Sequence, residues 1–441
     1  MTVREANIAA ASQQIFDVAI VGGGINGACL YNRLRCEGRR VILIEKGDFS
    51  SGTSQASAMM VWGGLLYLGS LDFKAVYGFS SSRDQMIREL ADWTSPRLFR
   101  FLPAKHGKLS KWPVLLSLYL YWVIGRFSRI RPSIENVFPE KGLLTRDTIA
   151  LLFEEGQLRH SDARFVLHWI TANASPNSVA LNHSELVGGE YHGGERLWHL
   201  SVNEHINGKQ INVRSHTVIN CAGVWTDRVN ANFGIGSPYK HALSKGVFLG
   251  LERRPEQENP LIFDMGAHDD VITSIPWGPV ELWGPTETAI TDIEEGLTAS
   301  GEDVSFLLDQ YDRCYRTGAT KDNIVSLRCG IRPLAVEASY DRNEYPLELS
   351  RRNRIAVDVE RPWVSVYGSK ITGCEDLAAS IVRRIAPLLP EQKTIRIQGS
   401  PPPHSPPHLS HCALNFPGLT RTCLLSSGAW STSTAVPSKT T

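Results

Sequence analysis

Several familiar chemistries lack their raw material in this 441-residue chain. Its eight cysteines stand at 29, 36, 221, 314, 329, 374, 412 and 423, and none forms a C-x-x-C pair. That argues against zinc and thioredoxin-type redox chemistry, so no metal is expected. A net charge of +1 with no long basic run gives no reason to invoke nucleic acid. No apolar signal-peptide core precedes Ile15, and a reducing, cytoplasmic setting is the default for scattered cysteines. Long hydrophobic runs are missing too. Residues 113–125 read Pro-Val-Leu-Leu-Ser-Leu-Tyr-Leu-Tyr-Trp-Val-Ile-Gly, thirteen residues and too few to span a bilayer. Two readings of this stretch stand. Its length favours a buried helix. Its aromatics Tyr119, Tyr121 and Trp122, flanked by Lys108, Lys111, Arg126, Arg129 and Arg131, suit a peripheral contact with the inner membrane surface.

What is present starts near the N-terminus. Residues 18–27 read Val-Ala-Ile-Val-Gly-Gly-Gly-Ile-Asn-Gly, and Glu45 closes a second apolar run at 41–44. Gly22, Gly24 and Gly27 fit G-x-G-x-x-G after a strand and before an apolar helix. The first glycine permits a tight turn, the second lets backbone approach a pyrophosphate, and the third lets helix and sheet pack closely. The helix N-terminus offers free N–H groups to phosphate. Glu45, 18 residues after Gly27, is placed to accept hydrogen bonds from ribose hydroxyls. This is a dinucleotide-binding βαβ unit. At 441 residues, two domains or one with a major insertion are expected.

Beyond a polar leader at 1–14, residues 72–135 read as mostly helical, and an amphipathic stretch surrounds 162–170. Short alternating runs between about 185 and 285 read as strands of a mixed or antiparallel sheet, with turns at Gly188-Gly189, Gly193-Gly194 and Asn207-Gly208. Residues 303–317 and 375–388 read as helices. The tail from 399 opens Gly-Ser-Pro-Pro-Pro-His-Ser-Pro-Pro-His and carries only Arg421 and Lys439 as charged side chains. It reads as a low-complexity end, or as a reading-frame artefact replacing a lost domain.

Five further segments matter together. Residues 48–68 run Asp-Phe-Ser-Ser-Gly-Thr-Ser-Gln-Ala-Ser-Ala-Met-Met-Val-Trp-Gly-Gly-Leu-Leu-Tyr-Leu, 218–228 Val-Ile-Asn-Cys-Ala-Gly-Val-Trp-Thr-Asp-Arg, and 244–246 Ser-Lys-Gly. Residues 329–334 run Cys-Gly-Ile-Arg-Pro-Leu, and 364–372 Val-Ser-Val-Tyr-Gly-Ser-Lys-Ile-Thr. With the glycine motif, their order over roughly 15–395 resembles flavin-dependent glycerol-3-phosphate dehydrogenases, within the D-amino-acid-oxidase-like FAD enzymes.

The resemblance implies an α/β fold with a Rossmann-like FAD domain assembled from 15–70, 145–230 and 320–395. A mixed-sheet substrate-binding or cap region would span 72–135 and 235–318. The family's C-terminal helical domain is expected to be missing or replaced by the tail. The FAD pyrophosphate and ribose would meet Gly22, Gly24, Asn26, Gly27, Glu45 and Lys46, and the loop with Thr53 and Ser54. Gly63 and Gly64 would let backbone pass close to a flat ring, with Ala222 and Gly223 near the adenine half and Gly330 beside the flavin. Gly368, Lys370, Ile371 and Thr372 would open a helix whose N–H groups face the flavin carbonyls. Arg332 would orient the substrate anion, since guanidinium matches phosphate or carboxylate in bidentate fashion. Arg351 is a second candidate, in uncertain register with Arg352 and Arg354. Lys370 would stabilise reduced flavin.

The implied reaction is oxidation of a secondary alcohol, glycerol 3-phosphate to dihydroxyacetone phosphate, with electrons passed to a quinone or another acceptor. Departures weigh against a close match. The family carries arginine, lysine, histidine and arginine where this chain has Ala56, Met59, Trp62 and Leu66. Losing two arginines and a lysine should weaken a phosphate site by roughly 1.5 to 3 kcal/mol each. Another hydroxy acid, amine or polyol substrate is therefore the alternative, followed by a non-catalytic flavoprotein.

Overall fold

A computed structural model of the chain describes residues 2–69, 71–103, 110–173, 177–266, 271–341, 349, 352–368 and 370–391. Arg351 and the tail from 399 lie outside the described residues. Eight helices are assigned there: α1 Val3–Gln13, α2 Ile25–Cys36, α3 Phe73–Glu89, α4 Lys111–Ile124, α5 Asp162–Thr171, α6 Thr226–Asn232, α7 Gly301–Cys314 and α8 Cys374–Ile385.

Two sheets organise the described residues, both within one compact unit spanning 1–400. The first contains β1 Ile15–Val21, β2 Val41–Ile44, β7 Ser178–Leu181, β8 Ser184–His192, β9 Leu197–Glu204, β10 Lys209–Asn220, β17 Arg354–Asp358 and β18 Trp363–Tyr367. Its central order is β17-β18-β10-β1-β2-β7. Strand β1 pairs in parallel with both β2 and β10, and β10 with β18. The chain leaves β1 through α2 toward β2, while β10 lies on β1's other side. The C-terminal end of β1 is therefore a topological switch point, where open α/β sheets bind ligands. A run of buried apolar side chains on β1 and β2 reflects cover on both faces.

The second sheet contains β3 Met60–Val61, β4 Thr94–Leu102, β5 Ser133–Glu135, β6 Ala150–Leu158, β11 Tyr239–Glu252, β12 Leu261–Asp264, β13 Val271–Trp277, β14 Val280–Gly284, β15 Thr288–Ile290 and β16 Ile324–Glu337. It is largely antiparallel, with β11 paired along most of its length to β16. Strands β6 and β16 belong here, so the two sheets interleave along the chain more finely than 145–230 and 320–395 as single blocks would have it.

Four local readings change. The leader at 1–14 is helix α1, closed by a Thr2–Glu5 capping box. It docks on the first sheet through buried Ala11 and through Arg4, whose Nε donates to Glu204 at 3.0 Å. Within 72–135, residues 94–102 are strand β4, paired antiparallel with β6 and in parallel with β12, with Phe99, Arg100, Phe101 and Leu102 all buried. Gly188-Gly189 is no turn but part of β8, paired with Ser201 and Leu200 of β9 just after a register shift between Leu186 and Gly188. Residues 113–125 are neither wholly buried nor wholly exposed. Helix α4 buries Val114, Leu115, Leu118 and Tyr121 and leaves Trp112, Leu116, Leu120 and Val123 in solvent.

Candidate active site

A cleft of about 2360 Å³ opens at the C-terminal end of β1 and runs to the second sheet. Usual ligand pockets hold roughly 300–1,000 Å³, so this one has room for a large cofactor and a second molecule. Backbone shapes its first end. Gly22 adopts φ +104°, and a Cβ there would sit 2.5 Å from the Cys221 carbonyl oxygen. A Cβ on Gly27 would lie 2.0 Å from the Gly22 carbonyl oxygen, so helix α2 reaches the turn only as glycine. Glu45 holds the turn from below, accepting from Gly23 N–H at 2.7 Å and Gly47 N–H at 2.8 Å. Ser54 Oγ accepts from the Ile25 N–H at 2.9 Å, satisfying one free donor of the α2 N-terminus. Thr53 Oγ1 donates to the Ile331 carbonyl at 2.6 Å and so ties this loop to the strand of Arg332. Asp162, buried at the start of α5, accepts from Ser57 N–H at 2.9 Å and from Arg328 at 2.7 Å, anchoring the same loop.

Most of the residues singled out from sequence meet in this cleft. Gly22, Gly24, Asn26, Glu45, Lys46, Thr53 and Ser54 line it, as do Ala222, Gly223, Arg332, Gly368, Lys370, Ile371 and Thr372. Four do not. Gly27 packs under the turn. Gly63 is pressed against Tyr121, whose hydroxyl would be 1.8 Å from a Cβ. Gly64 adopts φ +89° beside Phe79, and Gly330 abuts Ala56, whose Cβ would be 2.6 Å from its own. The turn Ile371–Gly373 is 3-10, and α8 follows it directly. Asn26 Nδ2 donates to the Gly368 carbonyl at 3.2 Å, joining the first glycine turn to this second one.

The cations of the far end have partners. Arg332 Nη1 lies 2.9 Å from Glu287 and 3.4 Å from Ser244 Oγ, which itself donates to Glu287. Lys370 donates to the Tyr67 hydroxyl and sits 4.2 and 4.7 Å from the stacked rings of Tyr67 and Phe79. Arg352 Nε donates to Asp72 at 2.7 Å. Sequence reading missed Glu287, Tyr67 and Asp72 as partners.

The four departures fall in distinct places. Ala56 and Trp62 line the cleft. Trp62 packs edge-on to Phe99 and Phe153, with centroids 6.2 and 6.4 Å away. Met59 is fully buried at φ +58°. Leu66 lies in a 3-10 turn, Leu65–Leu68. Behind Gly63 sits a buried ionic network. Tyr121 donates to Glu155 at 2.5 Å, Gly63 N–H to Glu155 at 3.2 Å, and Arg83 to Glu154 at 2.8 Å. Burial pushes the Glu155 carboxyl up, against the pull of Arg83 and Arg129. Away from the cleft, donor atoms of His192, Glu195 and His199 lie within 4.8 Å of one another on the β8–β9 hairpin.

A profile of the FAD dependent oxidoreductase family matches residues 17–348. The chain belongs to that family. As a member it is an FAD-dependent oxidoreductase, and FAD is its cofactor. It is 26% identical over 385 residues to a glycerol-3-phosphate dehydrogenase of Pseudomonas tolaasii, covering 86% of this chain and 73% of that one. Its fold is similar to the glycerol-3-phosphate dehydrogenase of Bacillus halodurans solved with FAD, with TM-score 0.68 and 21% identity over 89% of this chain and 68% of that one. It is also similar to glycine oxidase from Geobacillus kaustophilus, with TM-score 0.59 and 18% identity, covering 87% of this chain and all of that one. The two neighbours' different names on one fold leave substrate choice to the site. The glycine cradle fits this oxidoreductase's cofactor on steric grounds. At Gly223, φ +58°, a Cβ would meet nothing within 4 Å, so backbone there faces open cleft.

Proposed function

We infer that the chain oxidises a secondary alcohol, with glycerol 3-phosphate as the first candidate because dehydrogenases of that name are its relatives. The observation that carries the reading is the meeting of the β1–α2 glycine turn, the Gly368–Thr372 turn and Arg332 in one cleft. Bound there, FAD supplies the hydride acceptor. The pyrophosphate is assigned to Gly22, Gly24 and the α2 N-terminus, the ribose to Glu45, and the flavin ring to Gly368, Lys370, Ile371 and Thr372. Arg332 orients the substrate's polar group, and Lys370 offsets negative charge on the reduced ring. Positioning by these groups does most of the work.

We assign the cofactor to the first sheet and its loops and the substrate to the second sheet with α3 and α4. We further assign quinone as the acceptor and the exposed side of α4 as a peripheral membrane contact. Trp112, Leu116 and Val123 stand out of the protein there, beside Lys111 and Arg126. No described helix is long and apolar enough to cross a membrane. No disulfide joins any two of the six described cysteines, in keeping with the reducing compartment we assign.

A second reading, another substrate of the same oxidoreductase class, is favoured by Ala56 and Trp62 in the cleft wall and by the acid beside Arg332. The test is an anaerobic titration of the FAD-loaded protein with glycerol 3-phosphate, following the oxidised-flavin band near about 450 nm. Bleaching at sub-millimolar substrate supports the first candidate. A persistent band with intact flavin moves the assignment to the second.

A further inference from the structure

We propose that the substrate is an uncharged amphiphile, a secondary alcohol of the 1-alkylglycerol class, whose hydrocarbon chain lies along an apolar wall of the cleft. The proposal rests on the alcohol-oxidation reading above and deepens its second form. The wall is built by Met60, Trp62, Phe101, Val114, Ile262 and Val271, all lining the cleft. Phe101, Val114 and Ile262 belong to one packed cluster, with Met60, Trp62 and Val271 against it, so the surface is continuous. It comes from β3, β4, β12, β13 and α4, the far side of the cleft from the glycine turns. Its outer edge runs into α4, where Ser117 still lines the cleft and neighbouring Trp112 and Leu116 are 69% and 71% exposed. A chain entering there meets apolar surface from mouth to interior.

Charge points the same way. Three of the cleft's cations at this end are matched by acids, Arg332 by Glu287 at 2.9 Å, Lys245 by Asp303 at 2.7 Å and Arg352 by Asp72, while Lys370 meets the Tyr67 hydroxyl. A dianion would have to compete with each of these carboxylates, whereas a hydroxylated neutral head can donate to Glu287 and accept from Arg332 without breaking the pair. In the step, the carbinol carbon gives up a hydride to FAD and its hydroxyl a proton to solvent water, and C=O forms. The two electrons pass to FAD and then to an added acceptor. The chain stays attached throughout.

The experiment compares flavin reduction by 1-octylglycerol, 1-ethylglycerol and glycerol 3-phosphate in the FAD-loaded protein, with the octyl compound kept below its micelle threshold. Each fully buried methylene is worth roughly fourfold, so about 100-fold in kcat/KM is expected for octyl over ethyl even with partial burial. Val271→Asp should collapse that ratio toward one. Ser117→Trp, half-buried where α4 lines the cleft, does the same if Val271→Asp fails to fold. Equal rates for octyl and ethyl would overturn the chain assignment and leave alcohol oxidation standing. Reduction by glycerol 3-phosphate alone would do likewise. No reduction by any of the three, in protein whose flavin dithionite reduces, would sink both readings. If Ser117→Trp slows only reoxidation by a decyl quinone, the wall belongs to the acceptor and the proposal falls.

Discussion

The two ends of the cleft are made by different means. At the glycine turns the structure is backbone and small side chains, with several hydrogen bonds short in sequence and two, Thr53 to Ile331 and Asn26 to Gly368, tying the turns to distant segments. Gly47 reaches Glu45 across 2 residues, Gly23 across 22, and Ile25 reaches Ser54 across 29. At the substrate end the structure is large side chains brought from afar. Tyr121 meets Glu155 across 34 residues, Arg83 meets Glu154 across 71, and Arg332 meets Ser244 across 88. A cofactor shared by a whole family needs one fixed turn. A substrate site can change by exchanging side chains on a scaffold that stays put.

That contrast can be broken at either end, and the largest effect is expected at the turn. Gly27→Val would drive side-chain carbon into the Gly22 carbonyl, 2.0 Å from the position of a Cβ. Flavin content of the purified protein, read as the ratio of flavin to protein absorbance, should fall to near zero; full loading would remove this turn from the cofactor site. Next is Arg83→Ala, which takes a partner from half-buried Glu154 and from fully buried Glu155. Removing one partner of a buried pair costs about 3–5 kcal/mol. A denaturant titration should show that loss, while whatever still folds keeps its flavin.

Arg332→Ala sharpens the comparison from the substrate side. It removes charge-assisted contacts worth about 1.5–3 kcal/mol, so kcat/KM should drop roughly 10- to 150-fold with flavin retained. Unchanged kcat/KM would take Arg332 out of the substrate site. A pH effect is expected outside the cleft lining. Burial, with Glu89 and Asp376 nearby, pushes the Glu375 carboxyl at the head of α8 up to about 7. Its folded form holds the proton more tightly than the unfolded chain, near about 4.3. Stability should therefore fall as pH rises from about 4.3 to 7 and then level, by roughly 3–4 kcal/mol. Glu375→Gln should flatten that slope; an unaltered profile would dismiss the raised carboxyl. The smallest effect belongs to the exposed Arg33–Glu37 pair at 3.1 Å. Arg33→Ala should change stability by less than about 0.5 kcal/mol, a baseline for the rest.

Legibility in the sequence follows the same divide. Strand β1, the glycine turn, α2 and Glu45 were readable because their residues are neighbours and each obeys a local steric rule. Helices α5, α7 and α8 were readable from amphipathic spacing. Helix α1 was hidden because its first residues are polar and its docking partners Asn182 and Glu204 lie far along the chain. Gly63 and Gly64 were read as letting backbone pass close to a flat ring, yet neither lines the cleft. That Gly63 must yield to Tyr121 could not be seen, since nothing between residues 63 and 121 announces the contact.

By itself, then, the sequence determined a dinucleotide turn, its acid and the order of motifs that marks an FAD enzyme, because those features are short-range and backbone-controlled. Only the tertiary structure decided that Arg332 stands against Glu287, Lys370 against Tyr67, and that α4 divides its apolar residues between the cleft and the solvent. Those pairings depend on where two interleaved sheets bring distant side chains, and no local rule carries that information.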